Sequence, residues 1–212
     1  MRKNSLTEKK QRYDEWYYRG RNSNYIFWYN NLKFEIFWRR RQKILNKITD
    51  SGKLLDVGCA FGFFIKLLEN KFEVYGIDIS EYAIKQAKRL ISKPDHLKCF
   101  DVHKGILFDE RFDVITAFDI MEHISDPLPI FIFFNESLKK GGNLYLELPL
   151  SKTLINRDVG HYYSTLKNWT SILNQAGFKP WFIQGYYTIG LRIVMFPTGR
   201  FINYCSIIAK KL

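Results

Sequence analysis

The sequence predicts an α/β protein with a doubly wound, mostly parallel sheet, and three observations predict it. Residues 53–78 have the pattern strand, glycine-rich turn, helix and second strand, and the second strand ends in Asp78. The apolar run 112–118 is typical of a buried central strand. The length of 212 residues suffices for one α/β domain with a sizeable core. We predict an N-terminal helical, aromatic-rich, basic cap over residues 1–49 and one α/β domain over 50–212.

Charge is concentrated at the N-terminus. The net charge is +12, and residues 1–47 carry 13 Lys and Arg side chains against four acidic ones. Such a segment favours an anionic partner, either membrane headgroups, a phosphorylated substrate or nucleic acid, or it forms a solvated helical face. Both interpretations stay open.

Hydropathy and cysteine content indicate the cellular compartment. Hydrophobic residues make up 46% of the chain and charged residues 25%, as in soluble globular proteins. No run of about 18 apolar residues predicts a transmembrane helix, and the N-terminus lacks the apolar core of a secretory signal. The three cysteines are widely spaced and odd in number, which fits a reducing compartment. We expect a cytoplasmic protein.

The cap is predicted to contain two helices. Helical spacing of Trp and Tyr side chains places one helix near residues 8–18, and a break follows at 20–24. A second helix is expected near 25–49, and the turn 50–52 leads into the first strand.

The turn after the first strand carries the most specific motif. Its sequence is D-x-G-x-A-x-G, formed by Asp56, Gly58, Ala60 and Gly62. Glycine permits the sharp turn and the close approach of a ligand, and the N–H groups at the next helix start face a ligand anion. The motif resembles the first motif of the class I S-adenosylmethionine-dependent methyltransferases, with Ala60 in place of the usual middle glycine. The alternative is a glycine turn in any doubly wound protein.

This resemblance implies further cofactor-binding residues. Asp78 matches the family's acid that holds the ribose hydroxyls, and we include its neighbour Ile79. Ser80 is predicted to cap a helix near 81–92 that ends before Pro94. After a third strand near 97–100, an acid at the position of Asp101 receives the adenine amino group in the family, and its neighbour, here Val102, packs on the ring. A solvent-exposed turn is the alternative for Asp101.

A second motif follows the central strand. The string FDVITAFDIMEHISDP resembles the corresponding region of quinone-biosynthesis and related small-molecule methyltransferases, in which an apolar strand leads to a Glu-His pair. We include Phe118, at the end of this strand, among the cofactor-binding residues. A helix near 127–139, ended by the glycines at 141–142, and a fifth strand over 143–148 are predicted next.

The C-terminal part completes the predicted sheet. A polar loop over 150–164 precedes a helix that starts at Thr165, and a sixth strand spans about 178–187. The segment 189–200 has no assignment. The last strand, near 202–209, lies antiparallel between the fifth and sixth strands, as the resemblance implies, which gives seven strands.

Methyl transfer requires alignment and the exclusion of water, and a base only where the acceptor loses a proton. His123 and His161 are the candidate catalytic bases, each with a structural or substrate-binding role as the alternative. Glu122 and the histidines form no complete metal-ligand pattern, so we predict no metal. The expected function is methyl transfer from S-adenosylmethionine to a small-molecule hydroxyl on a sugar, a quinone precursor or a lipid-linked intermediate. The alternatives are an RNA methyltransferase and a non-catalytic cofactor-binding module.

Overall fold

The structure is a computed structural model, which describes residues 13–21, 23, 29–30, 36–150, 164–189, 192–195 and 203–212. The chain divides into two compact units, residues 1–107 and 108–212.

The first helices among the described residues of unit 1–107 are α1 (Glu15–Tyr18) and α2 (Ile36–Leu45). Asp14 caps α1, since its side chain accepts a hydrogen bond from the backbone N–H of Tyr17 at 3.1 Å. The two helices lie within the two predicted helical ranges and are shorter. The remainder of those ranges before residue 36 falls mostly outside the described residues.

Within residues 36–107, three parallel strands form a sheet. They are β1 (Gly52–Val57), β2 (Phe72–Asp78) and β3 (Leu97–Cys99), in the order β3-β2-β1. Helix α3 (Phe63–Leu68) connects β1 to β2, and α4 (Glu81–Lys88) connects β2 to β3. Parallel strands joined by helices in this order are the first half of a doubly wound sheet, as predicted.

Local sequence sets the ends of α4. The Ser80 hydroxyl accepts a hydrogen bond from the N–H of Ala83 at 3.1 Å, which confirms the predicted N-cap. The helix ends at Lys88, four residues before the predicted end at residue 92. The chain then enters a short 3-10 turn, Pro94–His96, where proline fixes the backbone at the first helical position.

Five strands lie in the described part of the second unit. They are β4 (Phe112–Phe118), β5 (Leu138–Pro149), β6 (Phe178–Ile189), β7 (Arg192–Met195) and β8 (Tyr204–Lys211). Their order is β4-β5-β8-β6-β7; β4 and β5 are parallel, and the other pairs are antiparallel. The last strand therefore lies antiparallel between β5 and β6, as the resemblance to the class I methyltransferases implies.

The α-helices that the structure describes in this unit are α5 (Leu128–Ser137) and α6 (Leu166–Gln175). The expected glycine stop of α5 at 141–142 is wrong, because the helix ends at Ser137 and β5 begins at Leu138. Gly141 instead adopts a φ of 73° within β5, near a register shift against β4. Glycine here accommodates an irregular strand, and a glycine pair alone does not distinguish the two uses.

The segment 189–200 contains β7, which pairs with β6. This strand is an addition to the seven that the sequence predicts. Among the described residues, no helix has the length and apolar character needed to cross a membrane.

Candidate active site

The turn after β1 adopts an uncommon backbone conformation. Gly58, Ala60 and Gly62 have φ values of 76°, 46° and 74°. Two backbone hydrogen bonds tie the turn to β2, from the N–H groups of Gly58 and Cys59 to the carbonyl of Ile77, at 2.8 and 3.1 Å. A side chain at positive φ costs roughly 1–2 kcal/mol, so Ala60 retains the glycine-like conformation with some strain.

Gly62 begins α3 and lies against α4. A Cβ atom at this position would lie 3.2 Å from the Cβ of Ala87, which is tighter than an ordinary van der Waals contact. Both the positive φ and this close approach require glycine. Glycine at this position thereby lets the start of α3 approach α4 closely.

The Asp78 carboxylate connects the turn to the end of β2. Its Oδ2 accepts a hydrogen bond from the N–H of Ala60 at 2.9 Å, and its Oδ1 accepts one from the N–H of Ser80 at 2.8 Å. The residue is 8% exposed. Burial raises the pKa of Asp78 to about 6, against the lowering effect of the two N–H donors.

Asp56 and Cys59, which flank Gly58 in the turn motif, are both buried. Burial raises the pKa of the Cys59 thiol well above its ordinary value, and the nearby charges of Asp78 and Asp56 raise it further. Cys59 is therefore a neutral packing residue at physiological pH.

Asp101 follows the neighbouring strand. The backbone N–H of Phe100 donates to the carbonyl of Asp78 at 2.9 Å, so the ends of β2 and β3 are joined. The Asp101 Oδ1 accepts a hydrogen bond from the N–H of His103 at 3.1 Å and lies 2.7 Å from the Nδ1 of the same residue. Asp101 thus caps a short 3-10 turn, Val102–Lys104, and the predicted pair Asp101–Val102 lies at the same sheet edge as Asp78 and Ile79.

Aromatic rings from the N-terminal segment cover the turn. The ring of Tyr18 lies 4.8 Å from that of Phe61, and the ring of Tyr29 stacks on Phe63 at 5.6 Å. These four rings and Ala83 form a buried cluster. Part of the predicted cap therefore packs directly on the candidate cofactor turn.

In the second unit, β4 leads into a tight turn. The ring of Phe118 makes an edge-on contact with Tyr145 at 4.8 Å. Asp119 has a φ of 57°, and its N–H donates to the carbonyl of Glu147 at 3.2 Å. Glu122 is buried in the 3-10 turn Met121–His123, and the side chain of His123 is half-buried.

Glu147 is a buried acidic residue that was not among the predicted site residues. This carboxylate is fully buried in β5, and its Oε1 accepts hydrogen bonds from the hydroxyls of Tyr145 and Ser206, both at 3.0 Å. Burial and the nearby Glu147 raise the pKa of the Cys205 thiol above its ordinary value. The available signal was an acidic residue within the otherwise apolar run LYLELP.

Two remaining predictions concern His161 and metal binding. His161 lies outside the described residues. Within the part of the chain that the structure describes, no cluster of three or more His, Cys, Asp or Glu side chains is arranged to hold a metal ion.

A glycine turn after the first strand, an acid after each of the next two, and an antiparallel last strand define a methyltransferase of the doubly wound class. The chain belongs to the family described as "Methyltransferase domain", whose model matches residues 27–185. Within that family its fold is that of the class I S-adenosylmethionine-dependent enzymes.

Curated relatives include the mitochondrial ubiquinone biosynthesis O-methyltransferase of Candida albicans, 32% identical over 135 residues, which cover 60% of this chain and 39% of the relative. The ubiquinone biosynthesis O-methyltransferase of Coxiella burnetii is 30% identical over 140 residues, 64% of this chain and 57% of the relative. The matched part thus spans about two fifths to three fifths of these relatives.

Solved structures confirm the predicted fold. An S-adenosylmethionine-dependent methyltransferase from Mesorhizobium loti gives a TM-score of 0.65 at 15% identity, covering 80% of this chain and 96% of that one. Magnesium protoporphyrin IX methyltransferase from Synechocystis, solved with bound S-adenosylmethionine, gives 0.60 at 15% identity, with coverages of 83% and 80%.

Proposed function

We propose that the protein transfers a methyl group from S-adenosylmethionine to a hydroxyl of a small molecule, and that the acceptor is a quinone precursor. The observation that carries the proposal is the buried Asp78 carboxylate, which ends β2 and is hydrogen-bonded to the turn after β1. The named activity of the curated relatives, ubiquinone biosynthesis O-methylation, supports the acceptor class. It does not favour RNA or a non-catalytic role.

The residues of the first unit fit the cofactor. A carboxylate offers about four acceptor sites, and the structure shows two N–H donors on Asp78. The remaining acceptor capacity suits the two hydroxyls of a ribose. Gly58 and Gly62 have no side chains, so a ligand can approach the backbone of the turn closely. When bound, S-adenosylmethionine supplies a methyl group already activated on a sulfonium.

The other predicted residues receive proposed roles on this basis. Asp101 would accept a hydrogen bond from the adenine amino group, while Ile79 and Val102 would contact the adenosine moiety. Asp56 supports the turn from within β1, where it is buried. Phe118 supplies an apolar surface at the end of β4.

Acceptor deprotonation is assigned to one of the two histidines. His123 is half-buried next to Glu122 in the sequence, and an imidazole is the side chain best suited to accept a hydroxyl proton. His161 is the alternative base. Either imidazole would remove the hydroxyl proton as the oxygen attacks the methyl group.

The N-terminal segment is proposed to be a cap over residues 1–49 that excludes water from the site, with the methyltransferase domain over 50–212. Packing of Tyr18 and Tyr29 on Phe61 and Phe63 supports it. Arg39 is exposed on α2 and is the side chain there that we propose to meet an anionic substrate or membrane surface. Three unbridged cysteines support a cytoplasmic location.

Methyl transfer to a panel of catechol and phenol quinone precursors tests the proposal, with product detected by mass spectrometry. Transfer to a catechol hydroxyl, reduced at least 100-fold in one of the variants His123→Gln or His161→Gln, is the expected result. Binding of S-adenosylhomocysteine without transfer to any acceptor would favour the cofactor-binding module instead. Transfer to RNA alone, with an affinity that falls steeply as salt rises, would favour the RNA methyltransferase.

A further inference from the structure

Ser80 makes contacts in three directions. Its N–H donates to the Oδ1 of Asp78 at 2.8 Å, and its hydroxyl oxygen accepts from the N–H of Ala83 at 3.1 Å. The same hydroxyl donates to the backbone carbonyl of Tyr13 at 2.5 Å. The residue is 0% exposed, so water does not compete for these bonds.

The first two contacts belong to the cofactor side of the unit. They fix the Asp78 carboxylate from one side while the N–H of Ala60 fixes it from the other. As the N-cap, Ser80 also sets where α4 begins.

The third contact belongs to the N-terminal segment, which is 67 residues away in sequence. Tyr13 immediately precedes Asp14, the cap of α1, and its ring lies 4.9 Å from that of Tyr17. Farther along α1, Tyr18 contacts Phe61 in the turn and lies 6.1 Å from Tyr82 on α4. Segment 13–21 is thus joined to the candidate site at both its beginning and its middle.

We infer that Ser80 is a positioning residue that couples the order of segment 13–21 to cofactor binding. The inference rests on the proposed binding of S-adenosylmethionine at Asp78. A ligand that draws on the Asp78 carboxylate stabilises the arrangement in which Ser80 holds both Asp78 and Tyr13. By linkage, docking of the segment strengthens ligand binding by the same factor.

Two amides report directly on the segment. The N–H of Arg19 donates to the carbonyl of Glu15 at 3.0 Å, and the N–H of Arg21 donates to that of Trp16 at 2.9 Å. Hydrogen exchange at these amides measures how often the segment opens. Since neither amide contacts Asp78 in the structure, slower exchange with ligand would report coupling between the two regions.

The experiment measures hydrogen exchange at these amides with and without S-adenosylhomocysteine, and the dissociation constant by calorimetry. In the wild type, the ligand should slow exchange. Ser80→Ala should weaken binding about three- to tenfold, accelerate exchange in the free protein and abolish the protection by ligand. Ser80→Thr, which keeps the hydroxyl, should restore all three.

Thr165→Ala is the matched control, because Thr165 caps α6 in the second unit through the N–H of Asn168 at 3.2 Å. It removes an equivalent cap and should leave affinity and exchange at both amides unchanged. Equal weakening by Ser80→Ala and Thr165→Ala would overturn the coupling, since general stability would explain it. So would ligand binding that is unaffected by Ser80→Ala. Absence of binding to the folded wild type would refute the proposed cofactor as well.

Discussion

The Oδ2 of Asp78 accepts a hydrogen bond from the backbone N–H of Ala60 at 2.9 Å, which joins the acid at the end of β2 to the turn after β1. Because the proposed cofactor needs this carboxylate, Asp78→Asn should weaken S-adenosylhomocysteine binding. We expect the dissociation constant to rise about ten- to a hundredfold, which corresponds to the loss of a hydrogen bond to a charged group. Calorimetry measures it, and Asp95→Asn, at an exposed position of the same unit, is the control. Equal affinity of the two variants would contradict the assigned role.

Asp78 also predicts a pH dependence of stability. Its pKa in the folded protein is about 6, above the ordinary value of 3.8, so the folded state binds the proton more tightly than the unfolded state. The free energy of unfolding should therefore fall as pH rises from about 4 to about 6.5, by up to roughly 3 kcal/mol from this group.

Urea denaturation of the cofactor-free wild type and of Asp78→Asn, at matched pH values, isolates the contribution of this group. The difference in unfolding free energy should shift in favour of the Asn variant as pH rises and then level off above pH 7. A difference that stays constant from pH 4 to 7 would show that the pKa is not raised.

Ala60 predicts a stabilising substitution. With a φ of 46°, alanine is strained, so Ala60→Gly should raise the free energy of unfolding by a few tenths to about 1 kcal/mol, after the entropy that glycine loses on folding. Ala87→Gly, in helical backbone, should act in the opposite direction. Thermal melts of both variants test the pair; destabilisation by Ala60→Gly would contradict strain at this position.

The glycine-rich turn and Asp78 show what the sequence could and could not predict. The spacing of Gly58, Ala60 and Gly62 predicted the turn, because a sharp backbone turn restricts which residues can occupy it. The burial of Asp78 and its shared hold on Ala60 and Ser80 could not be predicted, since they arise from tertiary packing.

The sequence was least informative where the same residues are compatible with two local structures. Gly141 marks an irregular strand and not the end of a helix, because glycine serves both. Glu147 was missed because its partners are Tyr145, two residues away, and Ser206, on another strand. The acid within an apolar run is visible in the sequence, but its partner on another strand is not.

Glu147 predicts a large stability effect. Glu147→Ala would leave the buried hydroxyls of Tyr145 and Ser206 without this acceptor and create a cavity, so we expect a loss of about 2–5 kcal/mol. Ser206→Ala should cost about 1 kcal/mol. Glu136→Ala, on an exposed position of α5, is the control. Chemical denaturation ranks the three, and similar midpoints for Glu147→Ala and Glu136→Ala would exclude a structural role for this carboxylate.

One arginine of the basic segment, Arg41, is expected to stabilise the fold by packing against aromatic rings. It is buried, and its guanidinium carbon lies 5.0 Å from the ring centre of Trp38 and 5.2 Å from that of Phe37. Arg41→Ala should lower the free energy of unfolding by about 1–2 kcal/mol, whereas Arg39→Ala, at the exposed neighbour, should not change it measurably. Thermal melts at low and high salt distinguish packing from surface charge, because a surface effect would vanish in salt.

The placement of β8 between β5 and β6 has a consequence for synthesis on the ribosome. Strands β5 and β6 emerge before β8. Neither can complete the hydrogen bonds along the edge that faces β8 until Tyr204–Lys211 has emerged. At about 5–20 residues per second, the roughly 20 residues between β6 and the end of β8 take about 1–4 s. During that interval two open strand edges are available to other chains.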